Sequence, residues 1–366
     1  MYTTGQFRVF ATEPGERALA RPRHLLREGR SQEAEDAYRT LTVLQPDLKL
    51  AWGEYFELLR SDRRFEEALE LATRAAGQFG DDAFPVALRG AALVELGRYR
   101  EGLTALEEAA GRDPNLGMVW HEAGYAAYRL GEHSRALMAL DRAFALEPHS
   151  GTLHLRGKIL RQAGRYLAAE VAFGGASEAA EIPEQRIEAE RQIGVTRRYA
   201  AFPGFRPDDL SSPRRWFAET GAVLLTGSGE QAPPDEEALL QAFAELAVEE
   251  GWRFTSMVRT DGWAGWEALA TILRLPLRSE VGLEDDGIPL VVSRRLSADQ
   301  RGWERALRQI GALESGLSLV LHQAVDRPTA DVVGLLDGAG RVRLDLAAAA
   351  EAVQHPESRL RGRCLR

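Results

Sequence analysis

Small and bulky apolar residues return along the first half of the chain at an interval of 34 residues. A small position recurs at Ala34, Ala68, Gly102 and Ala136 and, one residue early, at Ala169. A bulky or apolar position follows at Tyr38, Ala72, Leu106, Leu140 and Phe173, and a third column at Leu41, Ala75, Ala109, Ala143 and Ala176. Within each repeat these positions are spaced i, i+4, i+7, so they share one face of a helix. Upstream of each triple, Trp52, Val86, Trp120 and Leu153 anchor the start of another helix, and Gly29, Gly97, Gly131 and Gly164 punctuate the turn between the two. Pro46, Pro114 and Pro148 close three of the repeats, where one helix must stop and the next begin. The second repeat departs from the rule, with Arg63 at the turn and Gly80 at the close. In the first, Pro22 is expected to interrupt the leading helix.

The run Trp120-x2-Ala123-Gly124-x2-Ala127, followed by Ala136-x3-Leu140-x2-Ala143 and Pro148, resembles the tetratricopeptide repeat family, and the neighbouring registers follow the same pattern more loosely. Five repeats over residues 15–183 are implied, after an extension at 1–14. A single helical hairpin cannot bury its apolar stripe, so such units stack into a solenoid whose last face needs a polar cap. Residues 184–200 suit that role, with Ile187, Ile193 and Val195 inward and Arg186, Glu188, Glu190 and Arg191 toward water.

The resemblance implies that the first helix of each repeat lines a concave groove where an extended peptide or short helix docks. The groove residues carried over are Glu54, Glu57, Phe84, Leu88, Glu95, Met118, Glu122, Tyr125, Arg129, His154, Lys158 and Arg161. Phe84, Met118 and Tyr125 are expected to form an apolar floor, with acids toward the first repeats and bases toward the last. An amphipathic partner segment of opposite polarity would fit such a surface. Asn115, the single asparagine, falls in a loop, so the carboxylate clamp of some family members is not present in its usual form.

Beyond residue 200 the pattern changes. Three prolines and a turn glycine crowd 201–215, read as a linker, and residues 216–366 then alternate short apolar runs with helical stretches. The runs are 222–226, 253–258, 289–293, 317–321 and 331–336; the helical stretches are 235–250, 263–273, 298–313 and 346–353. That alternation predicts a small α/β domain. Gly338-Ala339-Gly340 reads as a hairpin turn joining two antiparallel strands at one edge, so the sheet is expected to be mixed. The overall expectation is two domains, an all-α tetratricopeptide-repeat solenoid followed by an α/β domain with a mixed sheet.

If the early strands run parallel, ligands approach their carboxyl ends. Those ends offer a base in Asp261 or His322, an anion clamp in Arg294 and Arg295, and an aromatic wall in Trp263 and Trp266. Each has a structural alternative: Trp216, Trp252, Trp263, Trp266 and Trp303 also suit core packing, and a histidine ending an apolar run is often a hydrogen-bonded edge residue. Gly227-Ser228-Gly229 lacks the full dinucleotide fingerprint, and the acids Asp235, Glu236 and Glu237 behind it would repel phosphate. Neither an H-E-x-x-H helix nor a G-x-S-x-G elbow occurs.

Composition narrows the function classes. The net charge is -9, and residues 201–366 carry 19 arginines against 25 acids, so neither half has the positive field that nucleic-acid binding favours. The arginines between 186 and 215 are expected to pair with neighbouring acids. One cysteine, Cys364, excludes an internal disulfide and a cysteine-rich zinc site. No metal or cofactor is expected. No apolar run reaches about 18 residues and residues 1–6 lack a secretory signal's order, so a cytoplasmic protein without membrane contact is expected. Lys49 and Lys158 are the only lysines in an arginine-, alanine- and glycine-rich chain, a composition typical of high-GC bacterial genomes. The leading reading is an adaptor whose repeat groove binds a protein segment, with the α/β domain a second binding or effector module. The alternative is an enzyme acting on a small anionic substrate through the α/β domain.

Overall fold

The computed structural model describes residues 13–230, 232–281, 288–295, 301–312, 316–323, 330–337, 341–355, 358 and 360. The sequence-expected turn at 338–340, Cys364 and the first twelve residues lie outside them. Two compact units are formed, one from Met1–Leu160 with Val171–Glu190 and the other from Arg161–Glu170 with Arg191–Arg366.

Ten helices run as five successive hairpins: α1 (Glu13–Arg27) with α2 (Ser31–Leu44), α3 (Lys49–Ser61) with α4 (Phe65–Phe79), α5 (Ala83–Glu95) with α6 (Tyr99–Arg112), α7 (Gly117–Arg129) with α8 (His133–Leu146), and α9 (Ser150–Gln162) with α10 (Tyr166–Glu178). Small residues at the helix crossings explain how they stack. A Cβ on Gly90 would stand 2.7 Å from Leu106 Cγ, one on Gly124 2.7 Å from Leu140 Cγ, and one on Gly157 2.8 Å from the Phe173 ring. On the second helices, Ala34, Ala68, Ala136 and Ala169 are fully buried. The tryptophan and proline columns are chemically linked, because the Trp52 indole donates to Pro46 O and that of Trp120 to Pro114 O, each at 2.9 Å. Each anchor therefore ties its own helix to the carbonyl that ended the previous one.

Two departures from the sequence pattern are absorbed by the fold. Arg63 takes φ of 60°, the left-handed turn conformation that Gly29, Gly97 and Gly131 adopt at 76–78°. Pro22 sits inside a continuous α1 instead of interrupting it. Buried Leu19 and Leu25 and the Arg23–Glu54 pair hold that helix on both sides of the proline.

Helix α11 (Pro183–Ala200) differs from the solvating cap expected of it. In the first unit, Ala189 packs with Leu153 and Ala176, while Ile187 is 64% exposed rather than inward. Farther along, Val195 and Tyr199 belong to the second unit's core together with Phe202, Leu210 and Phe217. The 201–215 stretch thus supplies core side chains and a 3₁₀ turn at Pro207–Asp209, and α12 (Ser212–Thr220) already begins within it. Periodicity fades there because the buried residues sit in irregular backbone.

The rest of the second unit comprises β1 (Val223–Leu224), β2 (Thr226–Ser228), α13 (Glu236–Glu249), β3 (Phe254–Arg259), α14 (Gly265–Leu273), β4 (Leu277–Arg278), β5 (Ile288–Arg295), α15 (Arg301–Ala312), β6 (Leu317–Gln323), β7 (Val332–Leu336), β8 (Val342–Leu344) and α16 (Leu346–Gln354). Six strands form a parallel sheet in the order β1-β7-β6-β5-β3-β4, and β2 pairs antiparallel with β8. The expected hairpin between β7 and β8 is therefore not made. Val332 and Val333 are apolar and buried on both faces, which suits an interior parallel strand, whereas β8 is only half-buried. α13, α14 and α16 cover one face of the sheet, and α15 with Trp216 of α12 covers the other.

Overpacking at a helix crossing tests the stacking rule. Gly124→Val should cost roughly 1–3 kcal/mol, because its side chain meets Leu140. Gly111→Ala on α6, with open space around it, should stabilise by up to about 1 kcal/mol through helix propensity. Thermal unfolding of both variants provides the comparison, and equal melting temperatures would refute the close-contact assignment.

Candidate functional site

The groove expected from the sequence is only partly a surface. Phe84, Leu88 and Met118 are buried in the first unit's core, so they do not form the accessible apolar floor expected of them. Phe84 meets Phe79 edge to face at 5.6 Å, a packing contact within the repeat stack. Glu54 is buried too, accepting from Arg23 Nε at 3.0 Å and from the Tyr38 hydroxyl at 2.9 Å. It ties α1, α2 and α3 together, while Glu35 of α2 accepts from Arg39, from Tyr55 of α3 and from Arg64 at the start of α4. Arg161 lies in the second unit, where it donates to Gln192 Oε1 and stacks over Tyr199 at 5.7 Å.

Glu57, Glu95 and Glu122 converge on Arg60, which sequence reasoning missed. Its guanidinium lies 3.2 Å from Glu57, 3.0 Å from Glu95 and 3.4 Å from Glu122, and is almost wholly buried. One positive charge among three carboxylates leaves a deficit. Burial pushes Glu57 up to about 7 against the pull of Arg60, and moves Glu122 in the same direction. The i, i+3 spacing of Glu57 and Arg60 was legible, but the partners one and two repeats on were not.

Next to Glu122 on α7, His121 and Tyr125 open into a cavity of about 460 Å³ whose other walls come from His149, His154 and Lys158 and from Glu184 and Glu188 of α11. The His121 Nδ1 is 3.1 Å from Thr152 Oγ1, and burial drives its pKa down to about 3, so the ring is neutral near pH 7. Burial also lowers His149. The Tyr125 hydroxyl accepts from Arg129 Nη1 at 2.8 Å, and that guanidinium stacks over Tyr99 at 4.4 Å, fixing the tyrosine as one wall. His154 stands edge-on to Phe173 at 5.3 Å.

In the second unit, the strand order reverses between β3 and β5. From β3 the chain moves through α14 to β4, and from β5 it moves the other way through α15 to β6. Ligands of open parallel sheets sit at such a crevice. Here Asp261 occupies it, accepting from the Trp266 indole at 2.7 Å, Trp263 N at 3.1 Å, Ser293 Oγ at 3.2 Å and Arg294 N at 2.6 Å. Four donors make this carboxylate a structural hub that ties β3 to β5. The structure does bring Asp261, Trp263, Arg294, Arg295 and His322 to one sheet edge, with Arg295 and His322 in register. However, Arg294 and His322 both reach Glu236, at 2.6 and 3.3 Å, Arg294 stacks on Trp263 at 5.5 Å, and Arg295 pairs with Asp337 at 3.2 Å. Gly227 lies in β2, where an added Cβ would meet Asp345 at 2.9 Å, so it serves packing of the β2–β8 pair.

Several linker-region arginines are engaged as expected: Arg197 with Glu170, Arg206 with Asp209 and Arg214 with Glu351. Among the described residues no His, Cys, Asp and Glu group is arranged to hold a metal ion, and no helix is long and apolar enough to cross a membrane.

No family model and no curated protein matches the chain. Solved structures do. A thermophilic TPR protein of Thermus thermophilus, TTC0263, is 18% identical, with 49% of this chain and 98% of that one covered at a TM-score of 0.43. YrrB, described as a TPR protein with an unusual peptide-binding site, is 15% identical over 48% of this chain and 90% of its own, with a TM-score of 0.35. PilW, a type IV pilus biogenesis factor, is 18% identical over 53% and 96%, with a TM-score of 0.41. The first unit is a tetratricopeptide-type array on the strength of its own helices and columns.

Two outcomes follow from these sites. The folded Glu57 carboxyl keeps its proton up to about pH 7, whereas its ordinary pKa is near 4.5. The stability this group contributes is therefore fully present below pH 4.5 and lost as pH rises toward 7. Relative to the wild type, Glu57→Gln should gain up to about 3 kcal/mol across that window, read from urea denaturation at several pH values. Parallel pH profiles would remove the buried-carboxyl account. Asp261→Ala strands the Trp266 and Arg294 donors and should cost at least about 2 kcal/mol. A smaller loss, measured by the same method, would return Asp261 to the list of free functional groups.

Proposed function

We propose that the repeat array is a docking platform for an extended segment of a partner protein, and that the α/β unit serves as a second binding module. The observation that carries this reading is the cavity of about 460 Å³ on α7, α9 and α11, within the range that accommodates buried ligand groups. Its tyrosine and imidazole walls favour an apolar or aromatic side chain, and its charged rim would orient what enters. In support of the second module, the α/β unit has its own cleft, bordered by Tyr166, Leu167, Phe205 and Arg206, and there Leu167 is 79% and Phe205 45% exposed. Such exposed apolar groups with a cationic border suit contact with another protein.

One observation favours the alternative of small-molecule chemistry. At the end of β6, Gln323 is fully buried with neither amide atom hydrogen-bonded, and a polar ligand at that strand end would satisfy it. Against it, Asp261, Arg294 and Arg295 are already committed to protein partners.

Selecting binding segments from a displayed peptide library and measuring them by calorimetry tests the docking reading. Tyr125→Ala should weaken a selected segment by more than about 2 kcal/mol, as loss of an anchoring aromatic does, with helical circular dichroism unchanged. His322→Ala should leave the affinity as it was. Retained affinity in Tyr125→Ala would overturn the assignment of the site.

A further inference from the structure

The chemistry of the docked segment can be read one step further, resting on the docking role just proposed. The Arg60 cluster and the cavity share helix α7. Glu122 belongs to the first, Tyr125 to the second, and three residues separate them, so they are neighbours on one helix face with Cβ atoms about 5–6 Å apart. Across the two features the carboxylates of Glu57, Glu95, Glu122, Glu184 and Glu188 face the cations of Arg60, Arg129 and Lys158, a formal charge of -2.

Stability alone does not account for three carboxylates around one guanidinium. A single carboxylate neutralises a buried arginine, and each further one adds desolvation and like-charge repulsion. The protein retains two extra acids there, and burial holds Glu57 and Glu122 toward their neutral forms. Glu95, a third exposed, opens the cluster to the outside. A second cation would complete the arrangement, and the cavity beside it marks where the bearer of that cation is seated.

We infer that the partner segment carries a lysine or arginine two residues away from an apolar or aromatic side chain, the apolar group entering the cavity against Tyr125 and the cation meeting Glu57, Glu95 and Glu122. The two-residue spacing follows from geometry. An extended chain advances about 3.3 Å per residue, so alternate side chains point the same way roughly 6.6 Å apart, close to the separation of Glu122 and Tyr125.

Blocked heptapeptides test this with the full chain: Gly-Ser-Lys-Ser-Phe-Ser-Gly, its glutamate-for-lysine version and its glycine-for-phenylalanine version, measured by fluorescence anisotropy. The lysine peptide should bind at least about tenfold tighter than the glutamate one, and the Glu57→Gln/Glu122→Gln double variant should bring that ratio below about threefold. Glu95→Gln, at a more exposed position, provides a second reading if the double variant fails to fold. Equal binding of the two charge versions, lost in Tyr125→Ala, would overturn the cation assignment and leave the docking role standing. Binding of neither peptide would overturn both. The chain's own first residues contain Arg8-Val9-Phe10, which has the same pattern. A tenfold affinity gain in Arg8→Ala/Phe10→Ala would make that segment the occupant in place of a partner.

Discussion

In three hairpins of the first unit, α5–α6, α7–α8 and α9–α10, the helices cross where one of them has no side chain. Gly90, Gly124 and Gly157 each leave room for the bulky residue of the paired helix, Leu106, Leu140 or Phe173, and nothing larger than hydrogen fits there. These three hairpins share the same close crossing, and every hairpin must bury its remaining stripe on the next. The repetition presents α3, α5, α7 and α9 in regular succession, so that residues one or two repeats apart can act on one another. Arg60 of α3 reaches Glu95 of α5 and Glu122 of α7 for that reason.

Charge in this unit is divided into two kinds. Glu35 and Glu54 are buried and fully served by arginines and tyrosines, and they lock the first hairpin to the second. Glu57 and Glu122 beside Arg60 are largely buried and underserved, with Glu95 open to the outside. The same residue type in the same helix register is thus fully paired at one position and left short of cations at another. The difference lies in the ratio of cations to carboxylates that each neighbourhood supplies.

The α/β unit illustrates how a favourable topology can be closed from within. A reversal of strand order between β3 and β5 creates the kind of crevice in which cofactors commonly sit. Asp261 fills it, and its four donors come from β5, from α14 and from Trp263 just before that helix. Trp263 and Trp266, which look like a ligand wall in the sequence, meet edge to face at 5.0 Å beside that carboxylate. Exposed apolar groups of this unit include Leu167 and Phe205, away from that carboxylate.

The repeat, its hairpins and the alternation of strand and helix are all legible in the chain alone, because each rests on a local period that a helix or strand must show. Small residues at Ala68, Gly102 and Ala136 can be read the same way, since any larger side chain would break the crossing. Glu57, Glu95, Glu122 and Tyr125 likewise fall on first helices before any coordinate is known. Which of the groove residues face outward is settled by the packing of whole helices. Phe84 and Met118 are buried because neighbouring helices close over them, and no residue's own helix encodes that. Arg63 adopts a glycine's backbone angle because the stack on both sides holds the turn. β7 went to the middle of the sheet rather than into a hairpin because its two-sided apolar surface outweighed its nearness to β8. Local pattern reports what one element needs, whereas pairing, burial and charge balance depend on residues from 31 to 108 positions away, whose proximity no local period records.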